Sequence, residues 1–417
     1  MDILLLISLL MCMAASLPAP TYSHSEDAHE KRDLDALLSF RKAITSDPLG
    51  MLSNWTAENS HNICSWYGIH CRQYIRRVVA IDLHVVEYVA GLKGTLSSSL
   101  SSLSLLHRLN LSGNFLIGTI PLQFGHLKVL RVLDLNYNAI NGSILTQCHQ
   151  CELGLLQKLE NLTLQDNYFS GNIPCQLGNL THLTQLSISS INIFGSIPSQ
   201  IFKLPLSILS LSFNLTGSVP KAIANLTMLT HPSLYDMGVN HIPQDIANLT
   251  NLINLYLFSN KLTDNIFVTL AKLTQLTSLS LGNNMLAGNI SPTLSKLSQL
   301  TELSLENNMV VGNISPVLVN LSQLTFLSLE NNSFTGTIPS TIGKLHLLMH
   351  LYLYSNKLTG QIPYSLGKLK SLTELDLHNN SFFGSIPSSI NGLVSLKRLD
   401  LSQNRLEGLI PTKGIYN

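Results

Sequence analysis

Charge is what this sequence has least of. Asp, Glu, Lys and Arg make up 12% of its 417 residues, about half the usual share of a soluble domain. The net charge of +1 gives no reason to expect nucleic acid as a partner. Aromatic residues are sparse at 6%, yet the 45% apolar content is ample for a core and excludes intrinsic disorder. Long apolar runs are missing apart from the thirteen residues Ile3 to Ala15, short of the roughly 20 that a bilayer span requires. That run has the length of a signal-peptide core and is followed by small residues and prolines, although Asp2 stands where a basic residue is usual. Residues 1–23 therefore read as a secretory signal. Catalytic patterns are absent as well. There is no H-E-x-x-H, no G-x-S-x-G, no phosphate-binding glycine loop and no kinase element. Neither enzyme activity nor a cofactor is expected of this chain.

What the sequence has in excess is leucine, about one residue in five, and it is periodic. A Leu-x-x-Leu-x-Leu frame precedes Asn114, Asn138, Asn167, Asn214, Asn260, Asn284, Asn308, Asn332, Asn356, Asn380 and Asn404, and from Asn260 onward every interval is 24. A clear unit holds Leu324, Leu327, Leu329, Asn332, Phe334, Gly336, Ile338 and Pro339. In Leu-x-Leu, the two leucines share one face of a short strand and the middle residue takes the other. One such coil cannot bury its own leucines, but stacked coils make a continuous core. The Asn can satisfy backbone groups left unpaired by a turn, in its own coil or the next. The Gly four residues later allows backbone angles that side chains forbid. The Pro suits a turn or edge. About fourteen coils, from near Ile81 to Pro411, stacked at roughly 4.8 Å, would run along roughly 60 Å of arc.

This is the leucine-rich repeat signature, and its G-x-I-P form in 24 residues resembles the extracellular repeats of plant receptor-like kinases and receptor-like proteins. The resemblance implies an α/β leucine-rich repeat solenoid: a curved right-handed superhelix with a parallel concave sheet and an N-terminal helical cap. The domains expected are the cap over residues 33–78, repeats over 79–411 and a truncated stub at 412–417. In the cap, Leu34, Leu37, Leu38 and Phe40 form the apolar face of a helix, followed by Trp55 and the run Cys64, Trp66, Gly68, Cys71. Similar plant ectodomains carry a disulfide here, which implies Cys64–Cys71.

Departures from the period carry the functional hints. The interval from Asn138 to Asn167 is 29, and the extra residues bring Cys148 and Cys151. One of these is expected to bond Cys175, leaving an odd thiol. Zinc on Cys148, His149, Cys151 and Cys175 is conceivable, but secreted cysteines favour disulfides and the spacing is no known zinc pattern, so no metal is expected. Further on, Ile191 and Met237 replace the turn Asn, Pro232 replaces a core Leu and should interrupt its ladder, and Asp264 and Phe267 replace a Gly and a Pro. Phe213, Tyr235, Asp236, Tyr256 and Phe258 fall on outward strand positions there. A second outward patch combines Glu306, Glu330, Tyr354 and His378 with Glu302, Tyr352, Glu374 and Asp376. These two patches are the candidate ligand-binding residues, and the second favours a basic or amine-bearing peptide. Relatives that grip a peptide C-terminus can carry an Arg-x-Arg pair, but here Arg398 is followed by Asp400.

Thirteen N-x-[S/T] sequons occur, of which Asn179, Asn225, Asn248 and Asn320 on the outer side are the expected glycosylation sites. Asn214, a turn Asn, should spend its amide internally. Together these features point to a secreted or cell-surface recognition module that binds a peptide, a microbial pattern or a co-receptor, with a membrane anchor expected only beyond Asn417. The rival is a secreted inhibitor of a microbial wall-degrading enzyme, but the C-terminal cysteine cap of such inhibitors is missing. A truncated or decoy form is a further alternative.

Overall fold

A computed structural model of the chain describes residues 24–72, 74–86, 90–144, 152–215, 218–263 and 266–411. The expected signal segment, Cys148 with Cys151, and the stub at 412–417 lie outside the described residues.

Each Leu-x-Leu frame forms a short strand, and successive strands pair in parallel from Arg77–Asp82 to Arg398–Asp400. The register advances by one period, so Leu279, Leu303, Leu327, Leu351, Leu375 and Leu399 stand side by side. Leu303, Leu305, Leu351 and Leu375 are fully buried. Stacking thus does what one coil cannot.

The Asn ladder explains the turns. Asn332 Nδ2 donates to the carbonyls of Leu329 (3.2 Å) and Glu330 (3.0 Å) in its own coil and of Leu305 (2.9 Å) in the preceding one. Its Oδ1 accepts from the Val310 N–H at 3.0 Å. One side chain therefore satisfies four backbone groups, and the same set recurs at Asn284, Asn308, Asn356, Asn380 and Asn404. The preceding residue is left-handed, as at Asn307 (φ 53°) and Asn331 (φ 50°). Four residues beyond Asn332, Gly336 takes φ +73°, and a Cβ there would lie 2.6 Å from Asn313 Oδ1. This coil then turns at Ile338-Pro339, which precedes the short helix Ser340–Lys344, and returns to the next strand. Beyond the Asn, a second parallel ladder runs along one flank, through Lys93–Thr95, Phe115–Gly118, Ala139–Ser143 and Tyr168–Gly171.

The cap is a helix, His24–Ala43, whose Leu37 and Phe40 are fully buried. Phe40, Trp55 and Trp66 pack in series, with centroids 6.0 and 5.5 Å apart. Asp33, with no exposed surface, accepts from Arg77 Nε (2.8 Å), Arg77 Nη2 (3.0 Å) and the Val78 N–H (3.0 Å). This buried pair ties the helix to the first repeat strand. Strand Ile69–Arg72 closes the sheet antiparallel to Arg77–Asp82, and Cys64 and Cys71 form the implied disulfide.

The central stretch departs from the repeat. Strands Gln185–Gly195 and Ile208–Leu215 run 11 and 8 residues, straight through the position where other coils turn. Neither contains a left-handed residue before its expected turn, although Asp166 (φ 52°) and Asp236 (φ 53°) on either side do. Three expectations are corrected here. Phe213 is not outward: strand alternation continues from Leu209 and Leu211 and buries it to 2% exposure. Asn214 is exposed and makes no ladder, while Ile191, at the next lost turn position, is 83% exposed. Met237 takes an Asn position and is wholly buried, and the N–H groups of Met237 and Val239 share Asn260 Oδ1. Pro232 interrupts one side alone: strand His231–Leu234 keeps four register pairs with the strand before it and one with the strand after.

Candidate ligand-binding surface

The C-terminal patch is built by three outward positions per strand. Register aligns Glu302, Phe326, His350, Glu374 and Arg398 in one row, and Ser304, Ser328, Tyr352, Asp376 and Asp400 in the next. Glu306, Glu330, Tyr354 and His378 follow two residues later in each coil. The sequence grouped most of these, but Phe326, His350 and Asp400 became visible as members only through register.

The patch is a connected network. Tyr354 and His378 stack with ring centroids 4.6 Å apart and 11° between planes. His378 Nδ1 lies 2.6 Å from Asp376 Oδ1 and 3.9 Å from Asp400 Oδ2. Tyr352 donates its hydroxyl to Glu374 Oε2 at 2.9 Å, with Arg398 3.9 Å from the same oxygen. Ser328 donates to Glu330 Oε2 at 2.5 Å, and Ser304 donates to Glu306. The expected continuous acidic surface is therefore partly withdrawn: Glu330 and Asp376 are only 8% and 4% exposed, while Glu302 is exposed and accepts from the Ser278 hydroxyl at 3.0 Å.

Burial sets the electrostatics. It pushes the Glu330 carboxyl above the ordinary value, against the Ser328 hydrogen bond and with the like charges of Glu306 and Asp376 adding to it. Burial and the Glu374 carboxylate push the Tyr352 phenol up to about 12. Tyr354 shifts the same way, through burial and then Glu330 and Asp376. Asp400 is held below its ordinary value by hydrogen bonds from the Ser402 hydroxyl and backbone. A surface with this many carboxylates and ring faces, and one arginine, can receive a cationic group. Asp376, His378 and Asp400 also offer three donor atoms within 4.8 Å of one another, the residues here that could hold a metal ion.

The second candidate group lies in the central stretch. Tyr235 and Phe258 stack at 4.8 Å and 14°, and both are half-buried, as is Tyr256. Tyr235 is bonded to Ser189 and Ser212, and burial followed by the charge of Asp166 pushes its phenol up. The two groups lie on different strands, with strand Ser278–Ser280 between Asn254–Tyr256 and Glu302–Ser304. Around Tyr235 the run-through strands leave a cleft of about 690 Å³. The sequence missed it, and the missing turn Asn at Ile191 was its one signal.

Cysteine and sequon expectations resolve unevenly. Cys175 is exposed and bonded to no cysteine among the described residues, and its expected partners Cys148 and Cys151 lie outside those residues. It opens a short helix directly after Pro174, beside Gln176. Asn179, Asn225, Asn248 and Asn320 each end such a helix and are exposed.

Comparison with known proteins agrees with this architecture. Sequence models match the leucine rich repeat N-terminal domain at residues 30–72, a leucine-rich repeat region at 114–281, and leucine rich repeats at 275–297, 322–382 and 395–413. The probable leucine-rich repeat receptor-like serine/threonine-protein kinase At1g63430 of Arabidopsis thaliana is 37% identical over 94 residues, 22% of this chain and 13% of that one. This chain thus spans about an eighth of that relative's length. The plant peptide hormone receptor RGFR1, solved with RGF2, superposes with a TM-score of 0.67 at 32% identity, covering 84% of this chain and 65% of the receptor. A leucine-rich repeat protein of Leptospira interrogans superposes at 0.65 and 28% identity, over 92% and 88% of the two chains. Among the described residues no helix is long and apolar enough to cross a membrane. With cap, Asn ladder and parallel register in place, the chain belongs to the leucine-rich repeat proteins, and its repeats are similar to those of plant receptor-like kinase ectodomains.

Proposed function

We propose that this chain is an extracellular recognition module of the plant receptor type, binding a peptide or protein ligand on its strand face. The observation that carries this reading is the network of Glu330, Tyr352, Tyr354, Asp376 and His378, in which stacked rings and carboxylates share one surface. Structural stability does not call for these residues on the side away from the core. Similarity to a receptor solved with a peptide hormone supports the same class of ligand. The segments matched by sequence models are repeats and cap, which supports a recognition role. A co-receptor, secretory routing and sugar chains on Asn179, Asn225, Asn248 and Asn320 belong to the same proposal.

The test is selection of peptides from a random library on the purified protein, followed by the double variant Tyr354→Ala with Glu330→Ala. Affinity should fall at least about tenfold, since a few buried anchors dominate such interfaces. Thermal unfolding of the variant checks its fold. Unchanged affinity in a folded double variant would overturn the proposal.

A further inference from the structure

The row of left-handed turns beside the strand face has a gap. It turns at Asp166 (φ 52°), skips the coils of Gln185–Gly195 and Ile208–Leu215, and turns again at Asp236 (φ 53°). Three strand spacings separate the flanking turns, roughly 14 Å. With no turn in between, the backbone leaves the 690 Å³ cleft open at the junction of strand face and flank. Its volume is within the range of sites that enclose a small ligand or a few side chains.

The lining states its chemistry. Ser190 replaces part of the lost Asn by donating to the Phe169 carbonyl at 2.6 Å. Tyr235 is part of the lining and its ring stacks on Phe258. Tyr168 (59% exposed) and Ile191 (83%) form an apolar lip. Asp166 and Asp236 are exposed at the two ends, and among the described residues no basic side chain lies within 4 Å of either carboxylate. Lys261, in the same lining, pairs with neither.

We propose that this cleft is a second binding site, taking a cationic group of a peptide ligand between Asp166 and Asp236, against the Tyr235 ring. Two carboxylates at the ends and an aromatic face between them fit an ammonium or guanidinium flanked by an apolar residue. The inference rests on the recognition reading given above and names a separate site. The cation can come from a lysine or arginine side chain or from a free chain terminus.

Random nonapeptides on beads, one pool with free amino termini and one acetylated, test this on the full purified chain. Side-chain recognition retains acetylated peptides rich in Lys or Arg beside an apolar residue; retention confined to the free pool identifies the chain terminus. In both cases the Asp166→Asn/Asp236→Asn double variant, whose changes are exposed and isosteric, should weaken binding at least tenfold. The Tyr354→Ala/Glu330→Gln variant should leave that binding unchanged. Loss with Tyr354→Ala/Glu330→Gln alone would overturn the cleft site and leave the strand-face reading standing. Retention of no peptide that depends on Asp166 and Asp236, or displacement of the peptides by methyl glucoside, also overturns it, the latter in favour of a polyol site.

Discussion

The coils from Ala287 to Asn404 and the two coils from Gln185 to Leu215 solve the same problem differently. In the former, each strand stops after a few residues, because a left-handed residue and an Asn that satisfies four backbone groups end it. In the latter, the strand continues, Phe213 takes the inner position that alternation dictates, and Ile191 and Asn214 are left outside. The polar ladder fixes geometry, so side chains on the regular coils can vary without moving the backbone. Where the ladder lapses, apolar packing holds the coil and the surface opens. Regularity makes a platform; its local loss makes a cleft.

The largest effect should follow from removing what replaces the ladder. Phe213→Ala leaves a cavity under the central stretch and should cost about 3–5 kcal/mol. Repeat arrays lose cooperativity locally, so hydrogen exchange is the sensitive measure. Amides of residues 185–240 should exchange far faster, while those of 290–400 keep their protection. Uniform acceleration along the chain would show that the two regions are not energetically separate.

Breaking the ladder itself comes next. Asn308 donates to Leu281, Leu305 and Glu306 carbonyls at 3.0 Å each, and accepts from the Leu286 N–H. Asn308→Ala strands these groups in the core and should cost about 2–3 kcal/mol. Asn214→Ala, though it falls in the same sequence frame, should stay within about 0.5 kcal/mol. Equal costs, read from urea midpoints of the two variants, would refute the assignment of Asn214 to the surface.

That contrast marks how far the sequence could be read. The 24-residue spacing reveals the core leucines and the Asn ladder, because each repeats a local physical need, whereas the cap disulfide is implied by the resemblance to plant ectodomains. Asn214 and Phe213 defeat the same reasoning. The frame counts positions, whereas the fold counts turns, and a turn needs a residue that tolerates the left-handed region. Asp166, Asn283, Asn307 and Asn379 are the residue types that enter it most readily, though Tyr137 and Gln403 take it as well when a ladder Asn follows. The two run-through coils lack the full pair of turn residues, with Ile191 after Ser190 in one and Phe213 before Asn214 in the other. The acidic patch was half legible: alternation predicts which residues leave the core, but neighbouring strands decide which of them are covered, as with Glu330 and Asp376.

The smallest effect tests the platform's electrostatics. Burial raises the Glu330 pKa, so the folded state binds its proton more tightly than the unfolded chain. The associated stabilisation is fully present below the ordinary value of 4.5 and is lost as pH rises through the folded value. Glu330→Gln keeps a polar side chain of the same shape without the titration. Wild type should therefore lose stability relative to the variant as pH climbs above 4.5, then run parallel to it once Glu330 is ionised in both states. Thermal midpoints of the two proteins between acid and neutral pH give the difference directly. The opposite slope would mean that Ser328 stabilises the charged carboxylate more than burial penalises it, and that this part of the surface is built to stay ionised.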